Sequence, residues 1–155
     1  MGFGAYLKKV GNIYVLSFRG TNPEQLIDWI TNISQGLGYR NSQYRQAAEV
    51  ALYVQSKVGS NNLLITGHSL GGGLASYAAS LTGSRAITFN AAGLHPFVGS
   101  RSGNIRAHYI RGDVLSFGQD LLQIAPTAVG TRIFHNPSQI RTPFGYHLMD
   151  NFNGL

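Results

Sequence analysis

At 155 residues, 43% of them apolar and 12% charged, the chain has the size of one domain with one sizeable core, and wholesale disorder is excluded. Twelve basic and six acidic residues give a formal charge of +6, but the basic residues are scattered, with Lys8-Lys9 the only adjacent pair; a nucleic-acid binder more often carries a basic stripe, whereas attraction to anionic surfaces fits. Cysteine is absent, which excludes a disulfide framework, a cysteine nucleophile and a thiolate metal site, and no apolar run reaches the ~18 residues of a membrane span.

Residues 1–155 read as a single domain without repeats or linkers. Met1 to Ala5 lack the charged and apolar regions of a signal peptide, and strand-like sequence begins almost at once, as in a module excised from a longer protein. Residues 5–10 and 12–18 read as two strands of a hairpin turning at Gly11-Asn12. The second, Ile-Tyr-Val-Leu-Ser-Phe, has the β-branched and aromatic content of a buried strand. Residues 23–34 read as a short helix. Asn22 caps it, Pro23 suits its first position, and Leu26, Trp29, Ile30 and Ile33 form one apolar stripe. Gly36 and Gly38 end it. Residues 43–58 read as a second helix with Tyr44, Ala47, Ala48, Ala51, Val54 and Val58 on its inner face. Residues 62–67 form a continuous apolar run, expected to be a strand covered on both faces, and a small-residue helix follows at about 70–81. Further strands are expected at 85–90, 105–111 and 128–135, and a helical tail at 144–153. Alternating strands and helices imply an α/β fold: a mostly parallel central sheet, an N-terminal hairpin and flanking helices.

Gly67-His68-Ser69-Leu70-Gly71 matches the G-x-S-x-G pattern of a nucleophile elbow, and a strand precedes it and a helix follows, as an elbow needs. Such a serine sits on a sharp, strained turn that side chains at 67 and 71 would obstruct. Its hydroxyl is expected to stand above the sheet at a helix N-terminus, which favours developing negative charge. The reading requires residue 69 to be accessible and to face its partners. Without the context, the motif is equally a glycine-rich β-α turn that binds phosphate or merely packs.

A serine nucleophile needs a base and an acid that orients it, in the chain order Ser, Asp or Glu, His. After Ser69 the acids are Asp113, Asp120 and Asp150. Asp113 directly follows the strand 105–111 and falls at the sheet's C-terminal edge, with Asp120 in reserve; Asp150 follows every histidine. His95 and His108 precede Asp113, and His68 adjoins the serine, which leaves His135 and His147. His147, at a loop-to-helix junction near the C-terminus, is the favoured base. One oxyanion-hole N–H belongs to Leu70, and the other to the loop after the strand 12–18, where Thr21 fits.

Phe18-Arg19-Gly20-Thr21, the stretch from Thr21 to Ile33 with Trp29, and Thr66 to Gly72 together resemble the oxyanion segment, lid and nucleophile motif of the class 3 lipase family, fungal triacylglycerol lipase-like α/β-hydrolases. The resemblance covers about residues 12–90 and thins afterwards. The compact size, Gly-Asp-Val and Tyr-His-Leu-Met-Asp resemble bacterial lipase-like effector and toxin domains. The resemblance implies a compact α/β-hydrolase-like fold, a Ser69–Asp113–His147 triad, an oxyanion hole at Thr21 and Leu70, and a lid at 22–38 that carries Leu26, Trp29, Ile30 and Ile33. Two departures weaken the acid assignment more than the serine. The family's proline shortly after the acid is replaced by Asp113-Val114-Leu115-Ser116, and its Phe-Gly-x-Pro run by Phe89-Asn90-Ala91-Ala92-Gly93.

The expected activity is cofactor-free hydrolysis of lipid carboxylic esters, of phospholipase A or lipase type, with transient contact to a membrane surface and no nucleic-acid partner. Secretion, or delivery into a target cell within a larger effector, fits this reading; an immunity protein is then the expected partner. The alternatives are a small-ester or thioester hydrolase without interfacial preference and a non-catalytic binding module. The lid stripe also has a plainer reading as a core-facing helix.

Overall fold

The computed structural model describes residues 2–20, 38–92, 104–113, 130–137 and 149–152. Six strands form one sheet in sequence order: β1 (Ala5–Val10), β2 (Ile13–Phe18), β3 (Leu63–His68), β4 (Arg85–Phe89), β5 (Ile105–Ile110) and β6 (Thr131–His135). β1 and β2 are the expected antiparallel hairpin, and every later neighbour pairs parallel. Helix α1 (Gly38–Val58) links β2 to β3, and α2 (Leu70–Thr82) links β3 to β4. This is the expected α/β architecture, a mostly parallel sheet compatible with a compact α/β-hydrolase-like fold.

Two successive crossovers step the same way along the sheet. With right-handed connections both helices then lie on the same face. The core follows from that. Leu16 and Phe18 of β2, Leu63 and Ile65 of β3 and Ala86 of β4 are buried in one cluster with Tyr44, Ala47, Ala51 and Val54 of α1 and Leu74, Ala75, Ala78 and Ala79 of α2. The alanines permit close helix-to-helix and helix-to-sheet approach. The expected inner face of α1 is thus observed: Ala48 is also buried, and Val58 packs partly buried against the cluster.

β3 corrects the sequence expectation. Its residues alternate buried and half-buried, so one face is sealed and the other is not, because both described helices stack on the same side. α1 begins at Gly38, five positions before the periodic pattern starts, since its first turn carries polar residues that add no apolar stripe. The expected strand 128–135 shortens to Thr131–His135. The tail contributes a 3-10 turn, Met149–Phe152, where a helix over 144–153 was expected; the remaining tail positions lie outside the described residues. Phe152 is buried and packs edge-on against Phe89, with ring centroids 5.0 Å apart. No helix among the described residues is long and apolar enough to cross a membrane.

Candidate active site

The strand ends set the site. Phe18 of β2 pairs with Gly67 of β3, and Gly67 with Thr88 of β4, so the C-terminal tips of three strands finish level. Ser69 follows the tip of β3 and precedes α2 directly. Its backbone sits at φ 57° and ψ −125°. These are the angles of the first central position of a type II′ turn, where glycine is usual. A serine held there stores roughly 1–3 kcal/mol of backbone strain.

Three hydrogen bonds fix this conformation. Ser69 N–H donates to the Phe89 carbonyl at 3.1 Å, and the Ser69 carbonyl accepts from Ala92 N–H at 3.0 Å and Gly73 N–H at 3.2 Å. The two flanking glycines are steric requirements, as expected. A Cβ at residue 67 would fall 2.1 Å from the Gly71 carbonyl oxygen, and one at residue 71 would fall 2.2 Å from that of Phe18. No side-chain adjustment relieves a clash with backbone.

Ser69 occupies the N-cap position of α2, yet its hydroxyl makes no capping bond. An ordinary N-cap serine has extended backbone angles, and its side-chain oxygen accepts a hydrogen bond from a first-turn N–H group. Here Oγ is buried with no hydrogen-bond partner among the described residues; Ser84 Oγ and Thr88 Oγ1 share that condition, so the distinguishing feature of Ser69 is its strained backbone. Leu70 opens α2, and its N–H belongs to the first turn, where no intrahelical acceptor exists.

Ser69 is fully buried, which corrects the expectation of an accessible hydroxyl. The end of β2 and the segment after β4 close around it: a Cβ at Gly20 would stand 3.4 Å from that of Ser69, and Ala91 and Ala92 press on the first glycines of α2.

Asp113 is fully buried at the same sheet edge. It terminates a turn in which its N–H donates to the Ile110 carbonyl at 3.1 Å, and Gly112 takes φ 85°, as the third position of a type II turn demands. Asp150 is exposed. Thr21, Leu26, Trp29, Ile30, Ile33, Asp120, His95 and His147 lie outside the described residues, as does most of the expected lid at 22–38.

The structure reveals one pair that sequence reasoning missed. His108 Nδ1 and His135 Nε2 share a hydrogen bond of 2.8 Å across β5 and β6. Phe89 and Phe152 adjoin the two rings. Burial, then the neighbouring His135 and Arg106, lower the His108 pKa below its ordinary 6.5. Register alone brings the two together, and no sequence spacing announces it. Among the described residues no group of three His, Asp or Glu side chains is placed to hold a metal ion.

A parallel sheet with a strained serine at a glycine-lined strand-to-helix turn is the architecture of an α/β-hydrolase-like domain. The family model for the Tle-like phospholipase domain (phospholipase-like) matches residues 4–141, and the chain belongs to that family. It is also 38% identical over 145 residues to the extracellular phospholipase A1 of Serratia liquefaciens, across 85% of this chain and 44% of that protein. The chain thus spans less than half the length of that relative. Of the expected kinship, the bacterial phospholipase part stands; the likeness to class 3 lipases rests on the motifs alone.

Proposed function

We propose that the domain hydrolyses the carboxylic esters of phospholipids, as a phospholipase A, through Ser69, Asp113 and His147. The observation that carries this reading is the left-handed, uncapped Ser69 between two sterically required glycines, in a chain of a phospholipase family. A structural cap has no need of that geometry. The name of the Serratia relative points to the same substrate class.

In this mechanism His147 takes the Ser69 proton as Oγ attacks the ester carbonyl carbon. The oxyanion of the tetrahedral adduct accepts from the N–H groups of Leu70 and Thr21. As the C–O bond breaks, the imidazolium protonates the departing lysophospholipid alcohol. Water, deprotonated by the same histidine, then releases the fatty acid and restores Ser69. Asp113 fixes the imidazole tautomer. Two observations support this choice of partners. Asp113 is buried at the edge that carries Ser69, and the Nε2 of the rival base His135 is already engaged by His108. A triad base needs both ring nitrogens.

Because Ser69 is buried, this reading requires an opened form in which substrate reaches it. In this proposal residues 22–38 are the lid, and the stripe Leu26, Trp29, Ile30 and Ile33 turns toward lipid. Export or delivery as part of a larger effector, held in check by an immunity protein at the serine cleft, belongs to the same reading.

Mass spectrometry of lipids from phospholipid vesicles tests it. Wild type should release one free fatty acid per phospholipid and leave a lysophospholipid, while Ser69→Ala should lower the rate by roughly 10⁴–10⁶-fold. Release of a headgroup instead would reject acyl-ester cleavage.

A further inference from the structure

The short segment Phe89 to Ala92 stands between the nucleophile turn and the acid turn. On one side it grips the backbone of Ser69 through the Phe89 carbonyl and the Ala92 N–H. On the other it grips β5. Asn90 N–H donates to the His108 carbonyl at 2.8 Å, Ile110 N–H donates to Asn90 Oδ1 at 3.0 Å, and the Tyr109 hydroxyl donates to the Ala91 carbonyl at 3.0 Å. Ile110 is also the first residue of the turn that ends in Asp113.

Asn90 is the hub of this clasp. It is fully buried, and its φ of 40° is left-handed, which asparagine tolerates better than most residues. In a regular parallel ladder, the residue whose N–H bonds to the carbonyl of 108 receives the N–H of 110 on its own backbone carbonyl. At Asn90 the side-chain oxygen takes that place. The chain therefore leaves β4 toward the Ser69 backbone while β5 keeps its last ladder bond on that side, at the first residue of the acid turn.

We infer that Asn90 is a positioning residue for catalysis, which holds the Asp113 turn in register with the Ser69 turn. The inference rests on the Ser69–Asp113–His147 reading. It distinguishes Asn90 from a mere strand end, because its side chain is bonded at the base of the turn that carries the acid.

The test uses steady-state kinetics against pH on a soluble short-chain ester, with thermal melts as the check on folding. Asn90→Gly accepts the left-handed backbone and removes the side chain that carries the Oδ1 acceptor. It should melt as a folded protein, lose about 10–100-fold in kcat with KM within about twofold, and shift the acid limb of kcat/KM to lower pH, because a displaced carboxylate supports the imidazolium less well. Tyr109→Phe, which removes the hydroxyl bound to Ala91, should move kcat and the acid limb the same way by a smaller factor. It decides the matter if Asn90→Gly does not fold. Wild-type kcat and pH profile in the folded variants, alongside an inactive Asp113→Asn, would overturn the role of Asn90 and leave the triad standing. An active Asp113→Asn would instead reject the triad, and this inference with it.

Discussion

Ser69 shows how much a single residue can be asked to carry. Its backbone angles suit glycine, and its hydroxyl has no described partner in a fully buried setting. Both features oppose stability: the strain by roughly 1–3 kcal/mol and the unsatisfied hydroxyl by a similar amount. Ser69→Gly removes both at once. It should raise the melting temperature by several degrees while abolishing ester hydrolysis, and paired thermal melts and activity assays check this. A serine placed for packing alone would give no such opposition between stability and activity. The motif made residue 69 legible in the sequence, because the glycines at 67 and 71 are required by backbone contacts, that of Gly67 within the turn and that of Gly71 with the end of β2. Its burial was not legible. The segments that approach its turn, at Gly20 and at Ala91 and Ala92, come from distant parts of the chain.

At the scale of elements, β3 and α2 were read almost to the residue, since a continuous apolar run and a small-residue helix are local patterns. α1 was read five residues short because its opening turn is polar. The clasp at Phe89 to Ala92 and the His108–His135 pair depend on strand register, which no local pattern encodes. The pair has a measurable consequence. Burial first, then His135 and Arg106, keep His108 neutral in the folded chain to a lower pH than its ordinary 6.5. As pH falls through that value, the unfolded chain takes up a proton that the folded chain refuses. Stability contributed by the neutral ring is therefore full above about pH 6.5 and declines below it. The melting temperature should fall on acidification from about pH 7 to about pH 5, and His108→Asn should flatten part of that decline. An unchanged pH dependence in the variant would show that the pair does not govern it.

For the whole molecule, sequence-order strands and same-face helices bring the ends of β2, β3, β4 and β5 to one edge, and that edge carries Ser69 and Asp113. The class of fold and the phospholipase kinship were accessible from motifs and their order along the chain. Thr21 and His147 were assigned from motif context together with chain order; both lie outside the described residues, and their roles are proposals. The proposed lid at 22–38 predicts interfacial behaviour. Activity on a short-chain ester should rise when the substrate aggregates, and Trp29→Ala should reduce that rise while sparing the rate on monomer. A rate indifferent to aggregation would discard the lid. The most direct test of the central assignment is covalent: reaction of wild type and Ser69→Ala with a fluorophosphonate in the presence of phospholipid vesicles, followed by peptide mass spectrometry. The account predicts one adduct, on Ser69, that is absent from the variant and forms more slowly in Asp113→Asn. Adducts on another residue, or none at all on a folded wild-type protein, would contradict it.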